Sequence, residues 1–323
     1  MRVLLWPVHG SYTASFVSGA HEYLLPVLPD RGPDGSGRSG SYPWPDSVRE
    51  VPVAQLGDEP VDVVVLQRPH ELDLVQRWTG RRPGRELPAV YLEHNAPTGH
   101  AVSSRHLLAD RTDIHLVHVT HFNAMAWDSG SAPTTVVEHG VADHGYRYTG
   151  EEPSLAVVVN EPVRRWRVAG TDLVLRLARD LAVDVHGIDS HLLTDVAREH
   201  GVELPPGRLH NLSQAELHAR IVHHRAYLHP YRWTSLGLAL LEAMSLGMPV
   251  LALSTTEAPR AVPPEAGVLS NDPDVLRDTA RHWLAEPEAA RACGLAAREH
   301  VLEAYGLDRF CRDWDRVLST VAG

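Results

Sequence analysis

The stretch HPYRWTSLGLALLEAMSLGMPVLALSTTEAP, residues 229–259, decides the fold. Thr234 and Ser235 stand before Gly237 and an apolar run, Leu238 to Leu246, so one of the two hydroxyls is the expected N-cap of a helix. A helix start carries unpaired N–H donors and a partial positive charge, which makes it a seat for a phosphate or for sugar hydroxyls. Gly247 ends the helix, Pro249 cannot continue it, and Val250 to Leu253 reads as a short buried parallel strand. Loop, helix and strand make half of a βαβ unit. Glu242 lies inside the helix, either as a binding carboxylate or as an acid that merely complements the helix dipole.

These residues resemble the donor-binding motif of retaining glycosyltransferases of the GT-B fold, sequence family 4. That motif is a Glu, seven residues, a second Glu, then Ala-Met, Gly, Pro and Val. Glu242-Ala243-Met244, Gly247 and Pro249-Val250 match its second half, while Thr234 stands where the family has its first Glu. The resemblance implies that Glu242 binds the donor ribose and that Thr234 occupies the position facing the transferred sugar. It also implies that Ser235, Leu236 and Gly237 meet the donor at the helix start. The fold it implies is α/β GT-B: two Rossmann-like doubly wound domains facing a central cleft, with the last helix crossing back to the N-terminal domain.

The 323 residues suit two domains. With 41 acidic against 30 basic residues the net charge is −11, which argues against nucleic-acid binding. Two cysteines, Cys293 and Cys311, do not make a disulfide scaffold, so a reducing, cytoplasmic setting is expected. Met1 to Trp6 is too short for a signal segment and no run is long enough to span a bilayer, so membrane association is expected to be peripheral at most.

Arg2 to Trp6 reads as the first buried strand, and the loop after it, with Gly10 and Ser11, falls where open α/β sheets bind ligands. By resemblance this loop approaches the donor phosphates or the acceptor. Leu28 to Ser47, rich in Gly, Pro and Ser, reads as a long loop, either an acceptor-side element carrying Arg31, Arg38, Tyr42 and Trp44, or disordered. Strands recur at Val61–Leu66, Ala89–Glu93, Leu116–Thr120 and Thr134–Glu138, and each ends in polar residues such as Gln67-Arg68 and Glu93-His94-Asn95. Polar groups repeated at the carboxyl ends of parallel strands imply one shared site. By resemblance His94 reaches the donor sugar and His139-Gly140-Val141 is the turn closing the N-terminal domain. His115, His118 and His121 are spaced three apart, which does not converge on a strand or a helix, so no metal site is expected.

The turn-rich Thr149–Pro153 is the expected boundary between domains 1–150 and 151–323. After the strand Leu155–Val159 come Arg164, Arg165 and Arg167, whose guanidinium forks suit a diphosphate clamp. By resemblance Arg164 is the family arginine, Ala169 stands at the family lysine position, and the chain holds no lysine at all. His186 and Asn211, at the ends of the next two strands, would frame the nucleotide base, and Ser213 is the expected N-cap of a helix from Gln214. Helical patterns run from Asp274 to Leu284 and from Glu288 onward, with Trp314 and Val317 on one apolar stripe. The expected activity is transfer of a sugar from a UDP- or GDP-linked donor to a small-molecule, glycan or lipid-linked acceptor, with Arg164, His94 and Thr234 as catalytic candidates and no further cofactor. A non-catalytic sugar-nucleotide-binding protein, or an epimerase or phosphorylase on the same fold, are the alternatives.

Overall fold

The computed structural model describes residues 1–38, 42, 44–100 and 103–323. The chain folds into two compact units, one of Met1–Gly140 with Leu307–Gly323 and one of Val141–Gly306. Each is built on a wholly parallel sheet with helices on both faces.

In the first unit seven strands, β1 (Arg2–Leu5), β2 (Glu22–Val27), β3 (Val48–Pro52), β4 (Val63–Leu66), β5 (Ala89–Glu93), β6 (His115–His118) and β7 (Thr134–Val136), lie in the order 3-2-1-4-5-6-7. Strand β4 and residues Ala89–Leu92 of β5 are apolar throughout because both faces are covered. On one side Leu4, Leu66 and Tyr91 pack with Leu74 and Val75 of α2 (Glu71–Thr79), and α3 (His121–Ala126) follows β6. Tyr12 and Phe16 of α1 (Gly10–Phe16) meet the C-terminal helix, Leu307–Ala322. There Trp314 Nε1 donates to Tyr12 Oη at 3.0 Å and its ring lies edge-on to Phe16 at 4.8 Å. The long loop carries local order of its own. Val27 bridges Ser36, Trp6 Nε1 donates to the Asp34 carbonyl, and Arg31 forms a two-pronged pair with Glu50. Arg31 and Arg38 are thus turned onto β3 by Glu50 and the Val48 carbonyl.

The second unit has six strands, β8 (Glu152–Val158), β9 (Val183–His186), β10 (Leu209–His210), β11 (His224–His229), β12 (Val250–Ala252) and β13 (Gly267–Leu269), in the order 10-9-8-11-12-13. Alternation along β8 splits its core. Leu155 and Val157 face α5 (Thr171–Leu177) and α10 (Pro273–Ala285), following α4 (Pro162–Ala169). Ala156 faces α8 (Leu238–Ser245) and α11 (Pro287–Tyr305). Helices α6 (Leu193–Glu199), α7 (Gln214–Ile221) and α9 (Ala258–Ala261) complete the layers. Residues 141–150, assigned by the sequence pattern to the first domain, run in this unit. The Arg147 and Tyr148 N–H groups donate to the Leu246 carbonyl, Tyr148 Oη donates to Arg225 O, and Asp143 pairs with Arg298. The last helical pattern is two helices, because Gly306 has extended backbone between them.

Candidate functional site

In both sheets the strand order reverses beside the first strand of the unit, between β1 and β4 and between β8 and β11. Connections leaving two such strands diverge to opposite faces, so the backbone beyond their carboxyl ends is open to a ligand. Arg164, Arg165 and Arg167 follow β8, Thr234 to Glu242 follow β11, and Gly10 and Ser11 follow β1, whereas His94, His186 and Asn211 stand at the ends of β5, β9 and β10.

Beyond β8 the chain turns through Glu161, in the left-handed region at φ 52°, into α4. The three arginines of α4 do not act as one clamp here. Arg164, with a side chain 69% exposed, pairs with Glu161 through Nε at 2.6 Å and through Nη2. Glu161 holds the Arg164 guanidinium firmly protonated. Arg165 lies over the Tyr231 ring at 5.3 Å, and Arg167 pairs with Asp172 at 2.7 Å. The parting follows from a kink at Trp166, whose φ of 25° and ψ of −100° break the helical path between the second and third arginine. Ala169 is fully buried.

The loop beyond β11 is fastened to this helix. Gly170, at φ 75°, presses on the Pro230 carbonyl, and Arg232 donates to both oxygens of Asp172 at 2.5 and 3.0 Å. The Arg232 N–H also donates to Val168 O. The loop ends at Gly237, which is the N-cap of α8 in place of the expected Thr234 or Ser235, and no side chain caps the helix. Gly237 fits closely over the buried His229 ring, since an added Cβ would stand 3.0 Å from its Cε1. Thr234 is half-buried, and Ser235 and Leu236 are buried.

Glu242 sits one turn into α8 with 8% exposure. Gln214 Nε2 donates to one carboxylate oxygen at 2.8 Å and His218 Nε2 to the other at 3.1 Å. Both come from α7, whose start is fixed by a capping box of Ser213 and Glu216. Their four-residue spacing puts both side chains on one helix face, a signal that the sequence carries. His186 is fully enclosed, stacked on His210 at 4.9 Å and edge-on to His224, and burial lowers its pKa to about 2. Only its backbone can meet a ligand. Asn211 is exposed.

In the first unit Gly10 and Ser11, expected in a loop, instead open α1 with His9 as the N-cap, and the His9 ring lies against His94 just past β5. The space a Gly10 side chain would need is filled by Tyr42, whose Cε2 lies 2.2 Å from an ideal Cβ, and Tyr42 Oη stands 3.4 Å from Ser11 Oγ. His94 packs against His9 at 4.1 Å and edge-on to Tyr12 at 4.6 Å, and its Nε2 is 2.8 Å from Gln67 Oε1. Burial, then the neighbouring His9 and His139, holds its pKa well below the ordinary histidine value, so the ring is neutral. His139 is buried, edge-on to Tyr12 at 5.6 Å. No grouping of metal-binding side chains occurs among the described residues, and no described helix is long and apolar enough to cross a membrane.

Residues 170–315 match the family model described as glycosyl transferase-like. No curated protein sequence matches the chain. Among solved structures, HepE of Anabaena, solved with UDP-glucose, superposes with a TM-score of 0.71 at 14% identity, over 99% of this chain and all of HepE (100%). Sucrose-phosphate synthase of Thermosynechococcus elongatus gives 0.70 at 12%, over 99% and 98%. A TarM variant of S. aureus, solved with fondaparinux, α-GlcNAc-glycerol and UDP, gives 0.65 at 13%, over 79% of this chain and 55% of that one. The chain has the GT-B fold, two parallel-sheet Rossmann-like domains, and residues 170–315 form a glycosyl transferase-like segment.

Proposed function

We propose that this chain, GT-B in fold and glycosyl transferase-like over residues 170–315, moves a sugar from a nucleoside diphosphate donor to an acceptor with retention of anomeric configuration. The observation that carries the reading is the start of α8: an N-terminus with no capping side chain, and Glu242 one turn further on. Free N–H donors suit the diphosphate, and a carboxylate held by two donors can still accept from a ribose diol, since each oxygen has two lone-pair sites. Arg165 on Tyr231, with Arg164 and Arg167 on the same helix, supplies further positive charge for the departing diphosphate. Thr234 supplies no carboxylate as nucleophile, so the leaving phosphate itself takes the acceptor's proton on the same face, and arginine and backbone dipoles stand in for a catalytic metal. The reaction runs in the cytoplasm, with at most peripheral contact to membranes.

HepE was solved with UDP-glucose and TarM with UDP, which puts uridine-linked donors first in line. Calorimetric titration with UDP, GDP and ADP tests the reading, followed by transfer assays over an acceptor panel. Glu242→Ala should weaken nucleotide binding by roughly 10- to 100-fold, the worth of one hydrogen bond to a charged group at about 1.5–3 kcal/mol. Arg164→Ala should lower turnover with the fold retained. A second reading, a non-catalytic sugar-nucleotide-binding protein, is favoured by the buried Ala169 and by Thr234. Nucleotide binding without hydrolysis or transfer would select it, and failure to bind any of the three nucleotides would sink both.

A further inference from the structure

Gln67 directly follows β4 and plays no part in the reading above, yet its amide is oriented by a group that permits one assignment. The Trp6 carbonyl can only accept, so the end of Gln67 lying 2.6 Å from it is Nε2, donating. The other end, Oε1, can only accept, so the His94 Nε2 that lies 2.8 Å away carries a hydrogen. A neutral imidazole holds one N–H, so Nδ1 presents a lone pair, and among the described residues the hydrogen bond of the His94 ring is the one to Gln67. Gln67 is itself well held. Its backbone N–H donates to Glu71 Oε2 at 2.6 Å, the Arg68 N–H donates to the same oxygen, and Glu71 and Trp6 are both buried.

We propose that Gln67 is a positioning residue that holds His94 in the Nε2–H form, so that Nδ1 accepts a hydrogen bond from a hydroxyl of the transferred sugar. The sugar contact rests on the activity proposed above, whereas the tautomer is a property of the unliganded protein and is read separately. Nitrogen NMR of the full chain distinguishes a protonated from an unprotonated ring nitrogen, and the His94 signal is the one missing in His94→Ala. In the wild type Nε2 should be the protonated nitrogen. Gln67→Met, close in shape but a poor acceptor, should give a mixture of tautomers and lower kcat by tenfold or more with UDP affinity unchanged. Gln67→Glu keeps an acceptor opposite Nε2 and should retain the tautomer, while its charge favours imidazolium and moves the acid limb of the pH–rate profile upward.

A protonated Nδ1 in the wild type, or an unchanged tautomer in Gln67→Met, overturns the proposal. A shifted tautomer with unaltered kcat overturns the sugar contact alone. Absence of transfer by the wild type would refute the activity, and the sugar contact with it, while the NMR still decides what Gln67 does.

Discussion

Two glycines in the second unit share one backbone conformation and differ only in what surrounds them, which allows a controlled test of how α4 is joined to the loop before α8. Gly170 has φ 75° and Gly201 has φ 68°. A Cβ on Gly201 would meet nothing within 4 Å, whereas one on Gly170 would stand 1.8 Å from the Pro230 carbonyl oxygen and 2.6 Å from its carbon. Gly201→Ala therefore incurs only the left-handed penalty, roughly 1–2 kcal/mol. Gly170→Ala adds a backbone collision that cannot be relieved by rotating a side chain, and overpacking of this kind costs about 1–3 kcal/mol more. Pro230 would be driven off, and with it the Arg232–Asp172 pair and the Arg165–Tyr231 contact. Denaturant unfolding should place Gly170→Ala about 2–5 kcal/mol below wild type and Gly201→Ala about 1–2 kcal/mol below it. UDP titration should show weakened binding for Gly170→Ala alone. Equal destabilisation of the two variants would refute the claim that Gly170 is required for contact.

Acid should weaken the fold before its carboxylates titrate. Burial lowers the pKa of His118 and His224 to about 4, of His229 to about 3 and of His186 to about 2, while the same side chains titrate near 6.5 when unfolded. Between pH 6.5 and those values the unfolded chain binds more protons, so stability falls with falling pH by up to about 1.4 kcal/mol per pH unit for each ring and is unaffected by these groups above 6.5. A urea midpoint that stays flat from pH 7 to pH 5 would show that the rings are not held neutral. Trp314→Ala, which removes a buried ring and leaves Tyr12 Oη without its donor, should destabilise by about 3–5 kcal/mol in the same assay. Trp314→Phe should recover most of that.

Periodicity made the sheets legible because both faces of every central strand are covered. Ala89–Glu93 keeps its expected bounds, and Ser213 caps α7 as its spacing to Glu216 implies. Strands β2 and β3 give no such signal: Pro26 interrupts one, and the other buries only Val48 and Val51, three positions apart. The α8 cap falls elsewhere than expected because Thr234 and Ser235 have the right chemistry while Gly237 has the right position over His229. Side-chain partnerships were the least legible part. Three arginines in four positions look like one charge cluster, yet Glu161, Tyr231 and Asp172 draw them apart, and two of those partners lie outside the motif in sequence or across a kink. Likewise nothing local marks Gln67 as the neighbour of His94, which comes from pairing of β4 with β5.

The Val141 N–H donates to the Tyr305 carbonyl, and Val141 pairs with Gly306, so the chain enters and leaves the second unit at adjacent points. In genetic terms that unit is an insertion within the first one, whose segments flank it on both sides. Translation therefore delivers residues 141–306 whole before the helix Leu307–Ala322 that completes the host around α1, and the neighbouring ends make the insert a natural cassette for excision or for circular permutation.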